Sequence, residues 1–135
     1  MSDLKMVQSA VRPIRILAID DSLEFLSSLQ SFFKTTPDFC LVGTARSGHE
    51  ALILAQELRP DVVLMDLQMA GMNGLDATSK IRRRFPEMAV VIVTAHEIPG
   101  LRQVCHENGA CDFVKKSRLY QDLPDVLAKF HISHS

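Results

Sequence analysis

Four short apolar runs punctuate this chain: Ile14-Arg15-Ile16-Leu17-Ala18-Ile19, Val62-Val63-Leu64-Met65, Ala89-Val90-Val91-Ile92-Val93 and Phe113-Val114. A weaker one, Phe39-Cys40-Leu41-Val42-Gly43, lies between the first two. Each is too short for a helix, and most are rich in β-branched residues and bounded by turn signals, so each reads as a strand. Their apolarity is nearly continuous rather than alternating. Both faces must therefore be covered, which predicts a parallel sheet.

Between the runs the apolar spacing changes to three and four. Phe25, Leu26, Leu29, Phe32 and Phe33 predict a helix over 22–33, with Pro37 stopping it. Leu52, Ala55 and Leu58 predict one over 48–58, before Pro60. Leu75, Thr78, Ile81, Arg82 and Phe85 predict one over 74–85, before Pro86. A fourth, over 99–108, ends at Gly109. The last, over 119–130, carries Leu123, Val126, Leu127 and Phe130; Pro124 sits early in it, so the helix proper is expected to start near Leu123. Strand and helix thus alternate five times. The expectation is one α/β domain over 14–130, a doubly wound open parallel five-stranded sheet, with tails at 1–13 and 131–135. Sites in such sheets lie beyond the carboxyl ends of the strands, where strand order reverses.

Composition removes several function classes. The 135 residues fit one domain, and 47 % hydrophobic residues suffice for a core. A net charge of −1 provides no global positive field, so nucleic acid and anionic membrane are not expected partners of this domain alone. No apolar run approaches the ~18 residues of a membrane span. Residues 1–13 do not read as a signal peptide, and a cytoplasmic location is expected. Cys40, Cys105 and Cys111 are odd in number and irregular in spacing, fitting neither a disulfide framework nor a zinc motif. They read as reduced thiols packed as small hydrophobes. The five histidines form no HExxH pair.

The chemistry lies at the strand ends. Asp20 and Asp21 follow Ile19, Asp66 follows Met65, Thr94 follows Val93, and Lys115 and Lys116 follow Val114. Each alone has a bland explanation, as a helix cap or a solvated charge. Together they deliver three carboxylates, a hydroxyl and an ammonium to one edge. Clustered carboxylates need a cation or a retained proton. Hard oxygen ligands in an open cleft suit Mg2+ (or Mn2+). A carboxylate can accept a phosphoryl group, while a cation, a lysine and a hydroxyl neutralise its oxygens.

These residues resemble the receiver domains of bacterial two-component response regulators. The likeness covers about 14–130 and is carried by the pair Asp20-Asp21, the stretch Leu64-Met65-Asp66-Leu67-Gln68-Met69-Ala70-Gly71-Met72-Asn73-Gly74, the strand end Val93-Thr94-Ala95, and Gly109-Ala110-Cys111-Asp112-Phe113-Val114-Lys115-Lys116. The spacings, 28 positions from Asp66 to Thr94 and 22 from Thr94 to Lys116, also match. The resemblance implies a flavodoxin-like strand order 2-1-3-4-5. It implies Asp66 as phosphoacceptor, Asp21 and Asp66 as metal ligands with Asp20 acting through water, and the backbone carbonyl of Gln68 as a further ligand. Thr94 is implied as the hydroxyl that turns toward the phosphoryl group, Lys116 as its ionic partner, and Phe113 as the aromatic that changes rotamer, from exposed to buried. Of the two lysines, spacing selects Lys116; adjacent strand residues face opposite ways, so only one can reach Asp66.

The implied function is a signalling phosphoacceptor rather than an enzyme, catalysing only its own phosphorylation and dephosphorylation. The donor would be a sensor histidine kinase or a histidine phosphotransfer protein. The recipient would be a downstream output protein or domain, and a phosphorylation-dependent homodimer is compatible with it. Three positions depart from the family pattern. Gln68 replaces Asn, Ala70 replaces Pro, which loosens the loop, and Ser117 replaces Pro, which disfavours a cis peptide because the non-proline cis form costs roughly 3 kcal/mol. Alternatives stand beside this reading. One is the receiver half of a longer DNA-binding transcription regulator. A small Mg2+-dependent phosphohydrolase would need an acid two residues after its nucleophile, where Ser22 or Gln68 stands. A nucleotide- or flavin-binding module would need a phosphate-cradling spacing that the stretch 43–48 lacks. A receiver-shaped module that is never phosphorylated would not need all five groups.

Overall fold

The computed structural model describes residues 12–68 and 73–130. Five strands and five α-helices alternate: β1 (Ile14–Ile19), α1 (Leu23–Lys34), β2 (Phe39–Ala45), α2 (Gly48–Leu58), β3 (Val62–Asp66), α3 (Gly74–Arg84), β4 (Ala89–Thr94), α4 (Leu101–Glu107), β5 (Asp112–Lys115) and α5 (Leu119–Ala128). A 3-10 turn, Lys116–Arg118, leads into α5. All neighbouring strands are parallel, in the order β2-β1-β3-β4-β5. The expected fold and strand order are those observed.

The period of two in each strand sorts the core into two layers. Ile14, Ile16, Ala18, Val62, Leu64, Val91 and Val93 face Leu26, Leu29 and Phe33 of α1 and Leu119, Leu123 and Leu127 of α5. Leu17, Ile19, Val63, Met65, Val90 and Ile92 face Ala51 and Ala55 of α2, Ala77 and Ile81 of α3, and Cys105 of α4. A right-handed crossover explains the split: the chain steps one way from β1 to β2 and then reverses toward β3, so α2, α3 and α4 cover the other face, and α5, after the last strand, returns to the face of α1. Every residue of β3 and β4 is buried, as their unbroken apolarity requires.

Helix starts follow local chemistry. Ser22, Ser47 and Asn73 accept from the backbone N–H of Phe25, Glu50 and Asp76 at the heads of α1, α2 and α3. α4 is shorter than the sequence suggests because Gly100 takes a left-handed conformation, φ +83°, immediately before it. α5 differs in the other direction. It begins at Leu119 rather than near Leu123 and holds Pro124 inside. Buried Leu119, Leu123, Val126 and Leu127 anchor it on both sides of the proline. The acceptor that Pro124 leaves unbonded belongs to Tyr120, a residue 43 % exposed, where water can reach.

The stretch expected as an N-terminal tail meets the sheet at Arg12, whose guanidinium forks onto Asp61 with both nitrogens at 2.7 Å. The Arg15 N–H donates to the same carboxylate at 2.9 Å. The tail residues 1–11 and 131–135, and Ala70 in the loop, lie outside the described residues. Among the described residues no helix is long and apolar enough to cross a membrane. Burial alone would push the Asp61 carboxyl up, but the Arg12 fork and the Arg15 N–H outweigh it and hold the group below its ordinary value. Such a group contributes stability above its unfolded value of 3.8 that is lost as pH falls through the lower folded value. Arg12→Ala is therefore expected to cost about 1 kcal/mol in urea unfolding at pH 7. Its difference from wild type should fade at pH values below about 4.

Candidate functional site

Register fixes the site. Ile19 of β1 lies opposite Met65 of β3, so Asp20 and Asp66 follow at the same level. Asp20 is held from both sides: its N–H donates to the Ala45 carbonyl at 3.0 Å, and its Oδ1 accepts from the Ser22 N–H at 2.9 Å. Asp20 is 1 % exposed and Asp66 6 %, while Asp21 stands open to solvent. One carboxylate oxygen from each of the three lies within 4.8 Å of the others.

Lys116 closes this cluster. Its Nζ is 2.7 Å from Asp20 Oδ2. The approach is that of an ion pair without hydrogen-bond alignment, since Oδ2 has no hydrogen-bond donor among the described residues. The same Nζ lies 4.4 Å from the centroid of the Phe25 ring. Lys115, paired with Thr94 in the β4–β5 ladder, lines a different groove with Glu97, Ile98 and Arg102. The structure thus brings Lys116, not Lys115, to the carboxylates. The Lys116–Ser117 peptide is trans.

Burial is the largest influence on Asp66 and pushes its carboxyl up, with the charges of Asp20 and, more weakly, Asp21 adding to it. Lys116 and the Gln68 N–H oppose the rise, and the balance lies at about 6. The donor set fits a hard divalent cation. Three carboxylates converge, each offering an oxygen within 4.8 Å of the others, and one lysine does not neutralise them.

Thr94 and Phe113 are present but differently engaged. Thr94 is 2 % exposed, and its Oγ1 donates to the His96 carbonyl at 3.1 Å and accepts from the His96 N–H at 3.4 Å. In this state the hydroxyl serves its own loop. Phe113 is 7 % exposed and packs in the layer containing Ile92, Cys105 and Ala110. The Arg102 guanidinium lies 4.5 Å over its ring and is itself bonded to Glu97 at 2.7 Å. The ring is thus buried, with the guanidinium covering it.

Two site residues escape sequence reasoning. Gly74 donates its N–H to the Leu67 carbonyl, and a Cβ there would overlap the Asp66 carbonyl oxygen and lie 2.7 Å from Leu67 Cα. Only glycine lets α3 start this close to the Asp66 backbone. The signal was a glycine, a poor helix former, directly after the Asn73 cap. Phe25 gave no distinct signal, because an aromatic on an apolar helical stripe reads as core.

An open parallel sheet carrying an acidic triad, a lysine and a buried threonine at its carboxyl edge defines a class of phosphate-handling signalling domains. This chain belongs to the response regulator receiver domain family, whose sequence profile matches residues 16–128. Receiver domains are signalling phosphoacceptors. The chain is 34 % identical over 114 residues to the transcriptional regulatory protein LiaR of Bacillus subtilis, covering 84 % of this chain and 54 % of LiaR. It is 37 % identical over 107 residues to a protein-glutamate methylesterase/protein-glutamine glutaminase of Pyrococcus abyssi, covering 78 % of this chain and 29 % of that protein. Among solved structures, the response regulator domain of Thermotoga maritima CheB superposes with a TM-score of 0.78 at 34 % identity, covering 88 % of this chain and 94 % of that one. The chain spans about half the length of such full-length relatives, or less.

Because the folded protein raises the Asp66 carboxyl from 3.8 to about 6, it holds that proton more tightly than the unfolded chain. The stability gained is complete below the unfolded value and is lost as pH rises through about 6. Without divalent cation, Asp66→Asn should therefore be more stable than wild type by roughly 2 kcal/mol at pH 7.5. The gap should close at pH values below about 4. Urea unfolding in EDTA across that range checks this, and an equal gap at every pH would contradict it.

Proposed function

We propose that residues 14–130 act as a phosphorylation switch whose acceptor is Asp66. The observation that carries this is the convergence of Asp20, Asp21 and Asp66 within 4.8 Å, with Lys116 against Asp20. With a value of about 6, the Asp66 carboxylate is mostly ionised at neutral pH and available as nucleophile. The donor is a phosphohistidine of a sensor histidine kinase or a histidine phosphotransfer protein. An Asp66 oxygen attacks phosphorus, the phosphorus–nitrogen bond breaks, and the histidine leaves with the electron pair. Asp21, Asp66 and the Gln68 backbone carbonyl would hold Mg2+, with Asp20 acting through water; when bound, the ion would neutralise phosphoryl oxygens. Lys116 supplies the second cation from the protein itself.

The signal leaves through Thr94. A phosphoryl oxygen offers its hydroxyl a charged acceptor in place of the His96 carbonyl. Turning Thr94 inward draws on the 95–100 segment, where Glu97 holds Arg102 over Phe113. The surface of α4, β5 and α5 is then biased between two arrangements. The domain works in the cytoplasm and hands its state to an output protein or domain.

A second reading has a specific basis. LiaR and the VraR protein of Staphylococcus saprophyticus are regulators of which this chain covers 54 % and 59 %. This chain would then be the receiver half of a longer DNA-binding regulator, and the length of the natural reading frame decides it.

Incubation with acetyl phosphate and Mg2+ is expected to add one phosphoryl mass to the wild type, and none to Asp66→Asn or in EDTA. Asp21→Ala should weaken Mg2+ binding, read by titration calorimetry. Labelling of Asp66→Asn at the wild-type rate would overturn the acceptor assignment.

A further inference from the structure

Lysine at position 116 has a hold that the site chemistry alone does not explain. A lysine side chain has four rotatable bonds and a compact ammonium with no directional preference. Its ion pair with the buried Asp20 Oδ2, at 2.7 Å, fixes the ammonium at one point and leaves the path of the flexible side chain to be set by its other neighbours. The same side chain borders an open groove of about 450 Å³ that also takes in Glu24, Phe25, Ser28 and Tyr120. Glu24 is therefore a competing carboxylate on the groove side. The Phe25 ring, which lines the same groove, lies 4.4 Å from the ammonium, within the range over which a ring face attracts a cation. Phe25 is only half-buried at the edge of the α1 face, whereas Leu26, Leu29 and Phe33 carry that helix's burial.

We propose that Phe25 is a positioning residue for phosphoryl transfer: its ring face holds the Lys116 ammonium against the carboxylate cluster and out of the groove it shares with Glu24. This rests on Asp66 being the acceptor. The attraction is electrostatic and belongs to the ring, so a leucine of similar bulk keeps the packing and loses the hold, while a tyrosine keeps both.

Two measurements separate the proposal from the function it serves. In metal-free protein without phosphodonor, the Lys116 Hε resonances should show an upfield ring-current shift that Phe25→Leu removes and Phe25→Tyr retains. With acetyl phosphate and saturating Mg2+, Phe25→Leu should label about fivefold more slowly. Phe25→Tyr should recover most of the rate, and Mg2+ affinity should stay at the wild-type value in both. In a Lys116→Ala background, Phe25→Leu should cause no further loss. Phe25→Met repeats the series if the leucine variant folds poorly. An undiminished rate in Phe25→Leu, or the same loss with Lys116 already removed, overturns the positioning role. A wild type that takes no label overturns the acceptor reading and the proposal with it. A missing ring-current shift in a protein that labels normally overturns the proposal alone.

Discussion

Asp20, Asp21 and Asp66 each bring a carboxylate oxygen within 4.8 Å of the others, at the end of strands whose side chains are otherwise kept from water. Like charges at that distance repel, and burial removes the solvent that would screen them. The opposing groups are few. They are the Lys116 ammonium beside Asp20 Oδ2, the Ser22 N–H on Asp20 Oδ1, and the Gln68 N–H facing Asp66. They do not offset burial and, after it, the charges of Asp20 and Asp21, which is why Asp66 is held at about 6 rather than 3.8. The edge is therefore strained electrostatically when metal-free. Binding of a cation would relieve that repulsion, because the rest of the sheet fixes the carboxylates in place.

That fixing comes from register. The continuous pairing of β1 with β3, from Ile16↔Val62 to Ile19↔Met65, sets Asp20 level with Asp66. A slip of one residue would turn the Asp66 side chain to the opposite face. The irregularity in β1, between Ile16 and Leu17, falls in its pairing with β2 and leaves the β1–β3 ladder intact. On the far side of Asp66, the absence of a side chain at Gly74 lets the Asn73-capped helix close onto the Asp66 and Leu67 backbone. The nucleophile is thus pinned by a strand before it and a helix start after it.

The strand ends were legible in the sequence because four of the five apolar runs stop at a candidate site residue, and the choice between Lys115 and Lys116 followed from the spacing shared with the receiver family. What the sequence hid depends on contacts between segments distant in the chain. Phe25 and Lys116 meet only because α1 and the end of β5 lie on the same side of the sheet. Arg12 reads as tail until β3 brings Asp61 beside it. Pro124 reads as a helix start, yet tertiary burial of Leu119 and Leu123 carries the helix through it. The covered state of Phe113 depends on Arg102, whose own orientation is set by Glu97. Local patterning carries none of these pairings.

The distribution of packing also determines which part of the molecule would give way if Thr94 changed partner as proposed. α3 buries Gly74, Ala77, Thr78 and Ile81, and its Asn73 cap is bonded. α4 has seven residues, buries Cys105 alone, and starts at a left-handed Gly100 with no side-chain cap. A helix this short draws little stability from its own hydrogen bonds. The Glu97–Arg102 pair that ties it to the 95–100 segment is solvent-exposed on the arginine side and so holds it only weakly. Elements with few buried contacts open at the lowest free energy. A displacement begun at Thr94, as proposed, would therefore be absorbed by the 95–107 region, while β3, α3 and the carboxylates they position stay in place.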